Sequence, residues 1–146
     1  MKILLDTNIL VHAYNKSSPH QQTASDIIKK AMNGEIQAYL TPQVLYEFFA
    51  VVTSSKRVEH PISGREAADL CIDLWECNEI EKLNPSGVAP IDVFRNAKEL
   101  KLSKAEIFDC ILAVICKENY VETIYTENIA DFKRYTFIKA VNPLAH

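Results

Sequence analysis

One carboxylate, Asp109, lies in an almost uninterrupted apolar segment, KAEIFDCILAVIC at residues 104–116. If the segment is helical, the residues one turn away from Asp109 are Ala105, Leu112 and Ala113, so the acid lies on the apolar face of the helix. An isolated ionised carboxylate in such surroundings is destabilised by several kcal/mol or changes its pKa. A group that balances its charge must therefore lie nearby in the fold.

Three further acids occupy comparable positions. Asp6 follows the apolar run ILL, Glu47 lies within VLYEFFAVV, and Asp131 comes three residues after IYTEN. Each has an ordinary structural explanation: a helix N-cap for Asp6, a basic partner from elsewhere for Glu47, and turn chemistry for Asp131. The alternative is that all four acids converge on one pocket, where two carboxylates about 6 Å apart repel each other by roughly 3 kcal/mol at an effective dielectric of about 20.

Carboxylates gathered in this way need positive charge to balance them. Lys or Arg partners could supply it, but no basic residue lies within four positions of Asp109 along its predicted helix. Hard oxygen ligands favour hard cations, so Mg²⁺ or Mn²⁺ is the expected balance. Carboxylate-bound Mg²⁺ keeps water molecules, orients a phosphate and activates water for in-line attack. These residues therefore predict a metal-dependent phosphodiesterase that acts on nucleic acid.

The composition is that of one folded domain. The chain has 146 residues, of which 48% are hydrophobic and only three are glycine, so we expect a single domain over residues 1–146. The first apolar stretch ends at Asp6, and the longest apolar run, ILAVIC, is too short to span a bilayer. These features predict a soluble, cytoplasmic protein without membrane contact. The net charge of −3 gives no general attraction to nucleic acid, so a metal ion or a local basic patch must provide it.

The cysteines and histidines show no metal-ligand spacing. The cysteines form no C-x-x-C pair, and we expect reduced, buried thiols. We expect the histidines to be exposed or loosely packed. The residues concerned are Cys71, Cys77, Cys110 and Cys116, and His12, His20, His60 and His146.

Short apolar runs alternate with amphipathic segments along the chain. The predicted strands are KILL, IQAYL, VETIYT and FIKAV, and the capping signals SPHQ, TPQ, SGRE and SKAE predict the starts of four helices. Two more helices are predicted at TNILVHAY and over residues 88–100, the second with Ile91, Phe94 and Ala97 facing inward. This alternation predicts an α/β three-layer sandwich, with a short, mostly parallel sheet of four or five strands flanked by helices. In such sheets, functional sites form at the carboxyl ends of the strands.

Four stretches together resemble the signature of the PIN-domain family in order and spacing. They are LLDTNIL at residues 4–10, YEF at 46–48, IFDCILAVIC at 107–116 and YTENIADF at 125–132. The resemblance covers essentially the whole chain and includes the terminal VNPL. In particular, the chain resembles the VapC-type toxins, the ribonuclease components of prokaryotic toxin–antitoxin pairs.

The resemblance implies a PIN fold and a Mg²⁺- or Mn²⁺-dependent endoribonuclease that cleaves RNA phosphodiester bonds with a metal-activated water. Such proteins are usually homodimers inhibited by a cognate antitoxin. Matched position by position, the catalytic acids are Asp6, Glu47, Asp109 and Asp131, with Asp6 and Asp109 as metal ligands. The alternatives are a PIN nuclease that processes RNA without an antitoxin, and a non-catalytic PIN-like binding module.

The same resemblance assigns supporting roles to polar residues beside these acids. Asn8 matches the residue that steadies the first acid, and Thr126 and Asn128 match residues that line the pocket. Many relatives have a basic residue where this chain has Glu127. That departure leaves two possibilities open, a weaker contact with RNA or an additional acid in the site.

Two basic residues, Lys133 and Arg134, follow Asp131 directly. They are candidates to hold a phosphate of the substrate. The simpler interpretation is that they belong to a solvated, charged face.

Overall fold

A computed structural model gives the structure of residues 1–145, so the expectation for His146 lies outside the described residues. All six predicted helices and all four predicted strands form, with a fifth strand and a 3₁₀ helix in addition. In chain order the elements are β1 (Lys2–Leu5), α1 (Thr7–Tyr14), α2 (Gln21–Met32), β2 (Gln37–Leu40), α3 (Pro42–Val52), α4 (Gly64–Glu76), β3 (Glu81–Lys82), α5 (Ala89–Leu100), α6 (Glu106–Glu118), β4 (Thr123–Tyr125), the 3₁₀ helix (Ile129–Phe132) and β5 (Lys139–Val141).

The five strands form one parallel sheet in the order β3-β2-β1-β4-β5. The central strand β1 pairs with β2 through Ile3 and Ala38, and with β4 through Leu4 and Ile124. The outer pairs are also parallel, which confirms the predicted sheet. Strand β3 was not predicted because its two residues, EK, carry no apolar pattern.

The order of the strands places helices on both faces of the sheet. The chain runs from β1 outward to β2 and β3, and then crosses back to β4 and β5 on the other side of β1. Because crossovers between parallel strands are right-handed, this reversal puts α1 to α4 on one face and α5 and α6 on the other. The packing agrees, since α1 contacts α2 and α3, α3 contacts α4, and α5 contacts α6. The predicted three-layer sandwich is therefore confirmed, and the reversal beside β1 is where such sheets bind ligands.

Two of the predicted helix starts are confirmed by side-chain caps. At the start of α3, Thr41 Oγ1 accepts a hydrogen bond from Val44 N–H at 3.2 Å. At the start of α4, Ser63 Oγ accepts one from Glu66 N–H at 3.1 Å. Each cap satisfies a backbone donor that the helix itself leaves free. The cap on α3 matters for the site because that helix carries Glu47.

The other two capping signals predict helix starts that are too early. Ser18 Oγ accepts from His20 N–H within a turn, and α2 begins only after this turn. Lys104 has a φ of 54°, a left-handed conformation that no α-helix contains, so α6 begins at Glu106. Asp109 therefore lies in the first turn of α6 and is half-buried, which corrects the prediction of a buried position in the middle of a helix.

Helix α5 buries a different face from the predicted one. Ile91 and Phe94 were expected to face inward, but they are 55% and 65% exposed, whereas Ala89 and Val93 are buried. Ala97, also expected inside, is half-buried. Apolar residues cover more than half of the circumference of α5, so the sequence pattern does not decide which face packs on α6. The result is an exposed apolar face.

The buried residues form one hydrophobic cluster that joins the sheet to both helix layers. All four cysteines are free thiols, as predicted; Cys110 and Cys116 are buried, whereas Cys71 and Cys77 are only half-buried. Within residues 1–145, no helix has both the length and the apolar character needed to cross a membrane. The largest fully buried side chains include Leu4, Leu5, Phe48 and Leu112.

Candidate active site

Asp6 lies at the carboxyl end of the central strand, where its backbone N–H donates to Tyr125 O at 3.0 Å. Its Oδ1 accepts from Thr7 N–H at 2.8 Å, which makes Asp6 the N-cap of α1. Its Oδ2 accepts from Thr126 Oγ1 at 2.7 Å and from Asn8 Nδ2 at 3.3 Å. The side chain is thus held in one orientation from both sides, and the cap function does not exclude a second role.

A polar network from α1 and the segment after β4 surrounds Asp6. Asn8 Nδ2 also donates to Thr126 Oγ1 at 3.3 Å, and Asn8 Oδ1 accepts from Glu127 N–H at 2.9 Å. Thr126 Oγ1 accepts in addition from Asn128 N–H at 3.0 Å. Asn8 and Thr126 therefore lie beside the first acid, and of the two residues expected to line the pocket the structure places Asn128 in the lining of the cleft and Thr126 behind it, fully buried. Asn128 joins the network through its backbone N–H.

Glu47 reaches the same region from α3. Its Oε2 accepts from Thr7 Oγ1 at 2.9 Å, and its Oε1 accepts from Gln43 Nε2 at 3.2 Å. Gln43 Nε2 also donates to Phe108 O at 3.2 Å, which ties α3 to α6 beside Asp109. The carboxylate of Glu47 is therefore positioned by neutral donors.

None of the four predicted acids forms an ion pair with Lys, Arg or His within 4.0 Å, among residues 1–145. The proposed basic partner of Glu47 is accordingly not found there. Within residues 1–145 the negative charge of these acids therefore has no direct cationic partner.

The electrostatics of Asp6 show that the acids are close enough to interact. Burial raises the pKa of the Asp6 carboxyl above its usual value, and the hydrogen bonds from Thr126 and Thr7 oppose this rise. The negative charges of Glu47 and Asp131 raise the pKa further. Three segments of the chain therefore place mutually repelling carboxyl groups near the end of β1.

Asp109 shows the largest effect among these acids. Burial first, and then the charges of Asp131, Asp6 and Glu47, together raise its pKa to about 6. Arg134 acts in the opposite direction. All four predicted acids are thus brought into one electrostatic environment, although the Asp131 side chain is exposed on the 3₁₀ helix.

The first three acids line a cleft of about 460 Å³. Asp131 borders a small adjoining cavity of about 20 Å³, which it shares with Asp109. Arg57, from the segment between α3 and α4, also lines the larger cleft. No sequence pattern distinguishes Arg57 from other surface bases, and only the folded chain brings it to the cleft.

His12 is a second residue of the cleft that was not predicted. Its Nε2 lies 3.0 Å from Glu127 Oε2, and its side chain is 18% exposed, so the expectation of a loosely packed histidine is wrong here. Its position four residues after Asn8 on α1, one helical turn away, is a signal that could have found it. By contrast, the His60 side chain is 70% exposed, as expected.

The two predicted phosphate ligands differ in their surroundings. Lys133 is exposed at the end of the 3₁₀ helix. Arg134 Nη2 pairs with Glu106 Oε2 at 3.0 Å and borders the small cavity next to Asp109. Arg134 therefore already has an acidic partner, whereas Lys133 forms no ion pair within the described chain.

The donor set fits a hard divalent cation, but the side chains do not enclose a complete cage. Among residues 1–145, no group of three or more His, Cys, Asp or Glu side chains is arranged as a ready metal site. Mg²⁺ does not need such a cage, because it keeps several waters and is usually held by one or two carboxylates together with substrate phosphates. Asp6 and Asp109 both line the cleft, so two carboxylates are available there for such a site.

A comparison with protein families identifies the class of the protein. The family model described as PIN domain matches residues 3–138, so the chain belongs to the PIN-domain family. This confirms the predicted family. The chain is 25% identical over 140 residues to Ribonuclease VapC24 of Mycobacterium tuberculosis, which covers 96% of this chain and 95% of that protein.

Solved structures confirm the fold. The crystal structure of VapC20 of Mycobacterium tuberculosis, described as a sarcin-ricin loop cleaving toxin, aligns with a TM-score of 0.71 at 13% identity, over 94% of this chain and 98% of that one. VapBC2 from Rickettsia felis, bound to a DNA fragment from its promoter, aligns with a TM-score of 0.65 at 21% identity, over 97% and 98% of the two chains.

The raised pKa of Asp109 generates a testable expectation. In protein freed of divalent cations with EDTA, the Asp109 carboxyl should titrate near pH 6, and Asp131→Asn should lower this pKa because it removes a neighbouring negative charge. Carboxyl ¹³C shifts followed by NMR measure both values. The pKa in the folded state lies above the unfolded value of about 4, so the contribution of Asp109 to stability is complete below about pH 4 and is lost as the pH rises through about 6. Asp109→Asn should abolish that loss; a wild-type Asp109 that titrates near pH 4 would contradict this account.

Proposed function

We propose that this chain is a divalent-metal-dependent endoribonuclease and the toxin component of a toxin–antitoxin pair. One observation carries the proposal: Asp6, Glu47 and Asp109 line one cleft without a direct cationic partner in the described chain. The similarity to Ribonuclease VapC24 over nearly the whole of both chains supports the choice of RNA as substrate.

In this proposal Asp6 and Asp109 hold the cation, Mg²⁺ or Mn²⁺, and Glu47 and Asp131 are the remaining catalytic acids. When bound, the ion polarises a phosphate oxygen and lowers the pKa of water. Asp6 presents its Oδ2 in a fixed orientation because Thr126 and Asn8 donate to it. Donation by Thr7 and Gln43 holds Glu47 in the same way.

The protonation of Asp109 should make metal binding depend on pH. With a pKa of about 6, its carboxyl is partly protonated in mildly acidic solution when no cation is present. A cation in the cleft favours the ionised form, so Asp109 releases this proton as the site is filled. Cleavage should accordingly require more metal at lower pH.

The chain also places a positively charged side chain at the cleft, where it can contact the phosphates of the RNA backbone. We assign Arg57 as a contact of the substrate phosphate because it lines the cleft with the acids. Lys133 and Arg134 remain candidates for flanking phosphates, with Arg134 committed in part to Glu106. This local positive charge answers the expectation that a chain of net charge −3 needs a basic patch or a metal to hold nucleic acid.

The antitoxin partner is supported by an apolar groove between α3 and α4. The groove has a volume of about 530 Å³ and is lined mostly by apolar residues, among them Leu45, Phe49, Ile72 and Trp75. Exposed acids follow one another along α4, so its surface suits a basic, amphipathic helix. We therefore assign this groove to a helical segment of the cognate antitoxin. The exposed acids of α4 are Glu66, Asp69, Asp73 and Glu76.

A homodimer is supported by the exposed apolar face of α5. Val88, Ile91 and Phe94 recur at intervals of three residues and are 68%, 55% and 65% exposed. Exposed apolar residues grouped on one face are typical of protein interfaces. We therefore assign this face to contact between two copies of the chain.

Cleavage of RNA tests the proposed nuclease directly. Purified protein with Mn²⁺ should cut total RNA, EDTA should stop the cutting, and Asp109→Asn should reduce the rate about 100-fold or more, because it removes one negative oxygen ligand. The products are followed on a denaturing gel, with circular dichroism to confirm the fold of each variant.

Asp26→Asn is the matched control, since Asp26 is an exposed acid of α2 outside the cleft. It should cut RNA like the wild type. Full activity of Asp109→Asn, or cutting that continues in EDTA, would contradict the proposal.

The proposed dimer has its own test. Phe94→Glu should convert a dimer into a monomer in sedimentation velocity runs, because it places a charge in the apolar interface. Ile72→Glu makes the same type of change on the other helix layer, at 51% exposure, and should leave the dimer intact. A wild-type monomer, or a dimer lost in Ile72→Glu and kept in Phe94→Glu, would contradict the assignment to α5.

A further inference from the structure

His12 connects two separate stretches of chain at the edge of the cleft. Its Nε2 lies 3.0 Å from Glu127 Oε2, and its Nδ1 lies 2.6 Å from Ser18 Oγ. The His12 side chain is 18% exposed and that of Glu127 is 41% exposed, so the contact is partly shielded from water. The imidazole ring of His12 thereby joins helix α1 to the turn before α2 and to the segment after β4.

The partners of His12 define the direction of these hydrogen bonds. A carboxylate only accepts, so Nε2 carries a hydrogen and donates it to Glu127. In the neutral ring Nδ1 then accepts from the Ser18 hydroxyl. Ser18 Oγ accepts in turn from His20 N–H at 3.0 Å, which fixes the hydroxyl in the turn. The ring is therefore held on both sides, and His12 holds Glu127 in a defined place.

Glu127 is linked in turn to the first acid of the site. Its backbone N–H donates to Asn8 Oδ1 at 2.9 Å, and Asn8 Nδ2 donates to Asp6 Oδ2 at 3.3 Å. Once Asn8 Oδ1 is occupied by Glu127, the amide of Asn8 is oriented with its NH₂ group toward Asp6. The contacts form a continuous path from His12 through Glu127 and Asn8 to Asp6.

We infer that His12 is a positioning residue for the active site, acting through Glu127 and Asn8 on the orientation of Asp6. Within this segment Thr126 is buried and bound to Asp6, whereas Glu127 and Asn128 are exposed, so the contact with His12 is what holds the Glu127 side chain. The inference rests on the proposed function, because its consequence for cleavage requires Asp6 to serve that reaction. It also accounts for Glu127, whose carboxylate is committed to His12 and acts as an anchor for the segment.

The inference is tested with paired variants in the RNA cleavage assay. His12→Ala and Glu127→Ala should each lower kcat about tenfold or more with little change in KM, and should raise the Mn²⁺ concentration needed for half-maximal rate, as loss of an orienting contact does. Glu127→Gln keeps an oxygen acceptor for His12, so it should retain at least about a third of the activity. The double variant should be no worse than either single variant, because both remove the same contact.

His60→Ala is the matched control, since His60 has an exposed side chain, does not line the cleft, and within residues 1–145 forms an ion pair with its neighbour Glu59 alone, at 3.9 Å. It should leave kcat unchanged. Glu127 is exposed, so Glu127→Ala and Glu127→Gln test the inference even if His12→Ala does not fold. Wild-type kcat in Glu127→Ala would overturn it, and so would equal losses in Glu127→Ala and Glu127→Gln.

A second readout does not depend on cleavage. In metal-free protein, His12→Ala should shift the side-chain amide resonances of Asn8 and should speed hydrogen exchange of the Glu127 backbone N–H about tenfold, because that N–H loses its fixed acceptor. If the wild type cuts no RNA, the proposed nuclease function fails, but this measurement still shows whether His12 acts on Asn8 through Glu127. Unchanged Asn8 and Glu127 resonances would overturn the inference even if kcat falls.

Discussion

The constraint that shapes this structure is negative charge collected at one edge of a parallel sheet, where no Lys, Arg or His of residues 1–145 forms a direct ion pair with the four acids. Asp6 is buried at the end of the central strand, and Asp109 is half-buried beside it, with a pKa raised to about 6 by burial and by the other acids. Such repulsion opposes folding unless protons or cations relieve it. We propose that a bound cation relieves this repulsion, so that the cation-bound site is the favourable state.

The fold concentrates these charges because each acid is placed by an element that has its own reason to form. Asp6 directly follows β1 and caps α1, where a side-chain oxygen satisfies a backbone N–H that the helix leaves free. Glu47 lies on α3, which Thr41 caps, and Asp109 lies in the first turn of α6, where the helix dipole favours negative charge. The change of direction beside β1 then brings these three elements to one cleft. The residues that stabilise the starts of these helices are thus also the residues that form the candidate site, or lie directly beside it.

The sequence predicted the parts of this arrangement that are encoded locally. The short apolar runs predicted the strands, and Thr41 and Ser63 predicted the starts of two helices. The position of carboxylates within apolar segments singled out the acids of the candidate site. Properties that arise from contacts distant in sequence were missed. The left-handed Lys104 shortens α6 and so moves Asp109 toward the surface, while His12 and Glu127 meet across 115 positions. The prediction of which face of α5 is buried was also wrong. Apolar residues lie on several sides of this helix, so its packing against the neighbouring helix decides which of them are buried.

Anomalous diffraction at the manganese absorption edge, from crystals of this protein grown with Mn²⁺, will show whether the gathered acids bind a cation. We expect a manganese peak in the cleft, in contact with carboxylate oxygens of Asp6 and Asp109. A well-ordered cleft without manganese, or manganese bound only at other surfaces, would contradict it.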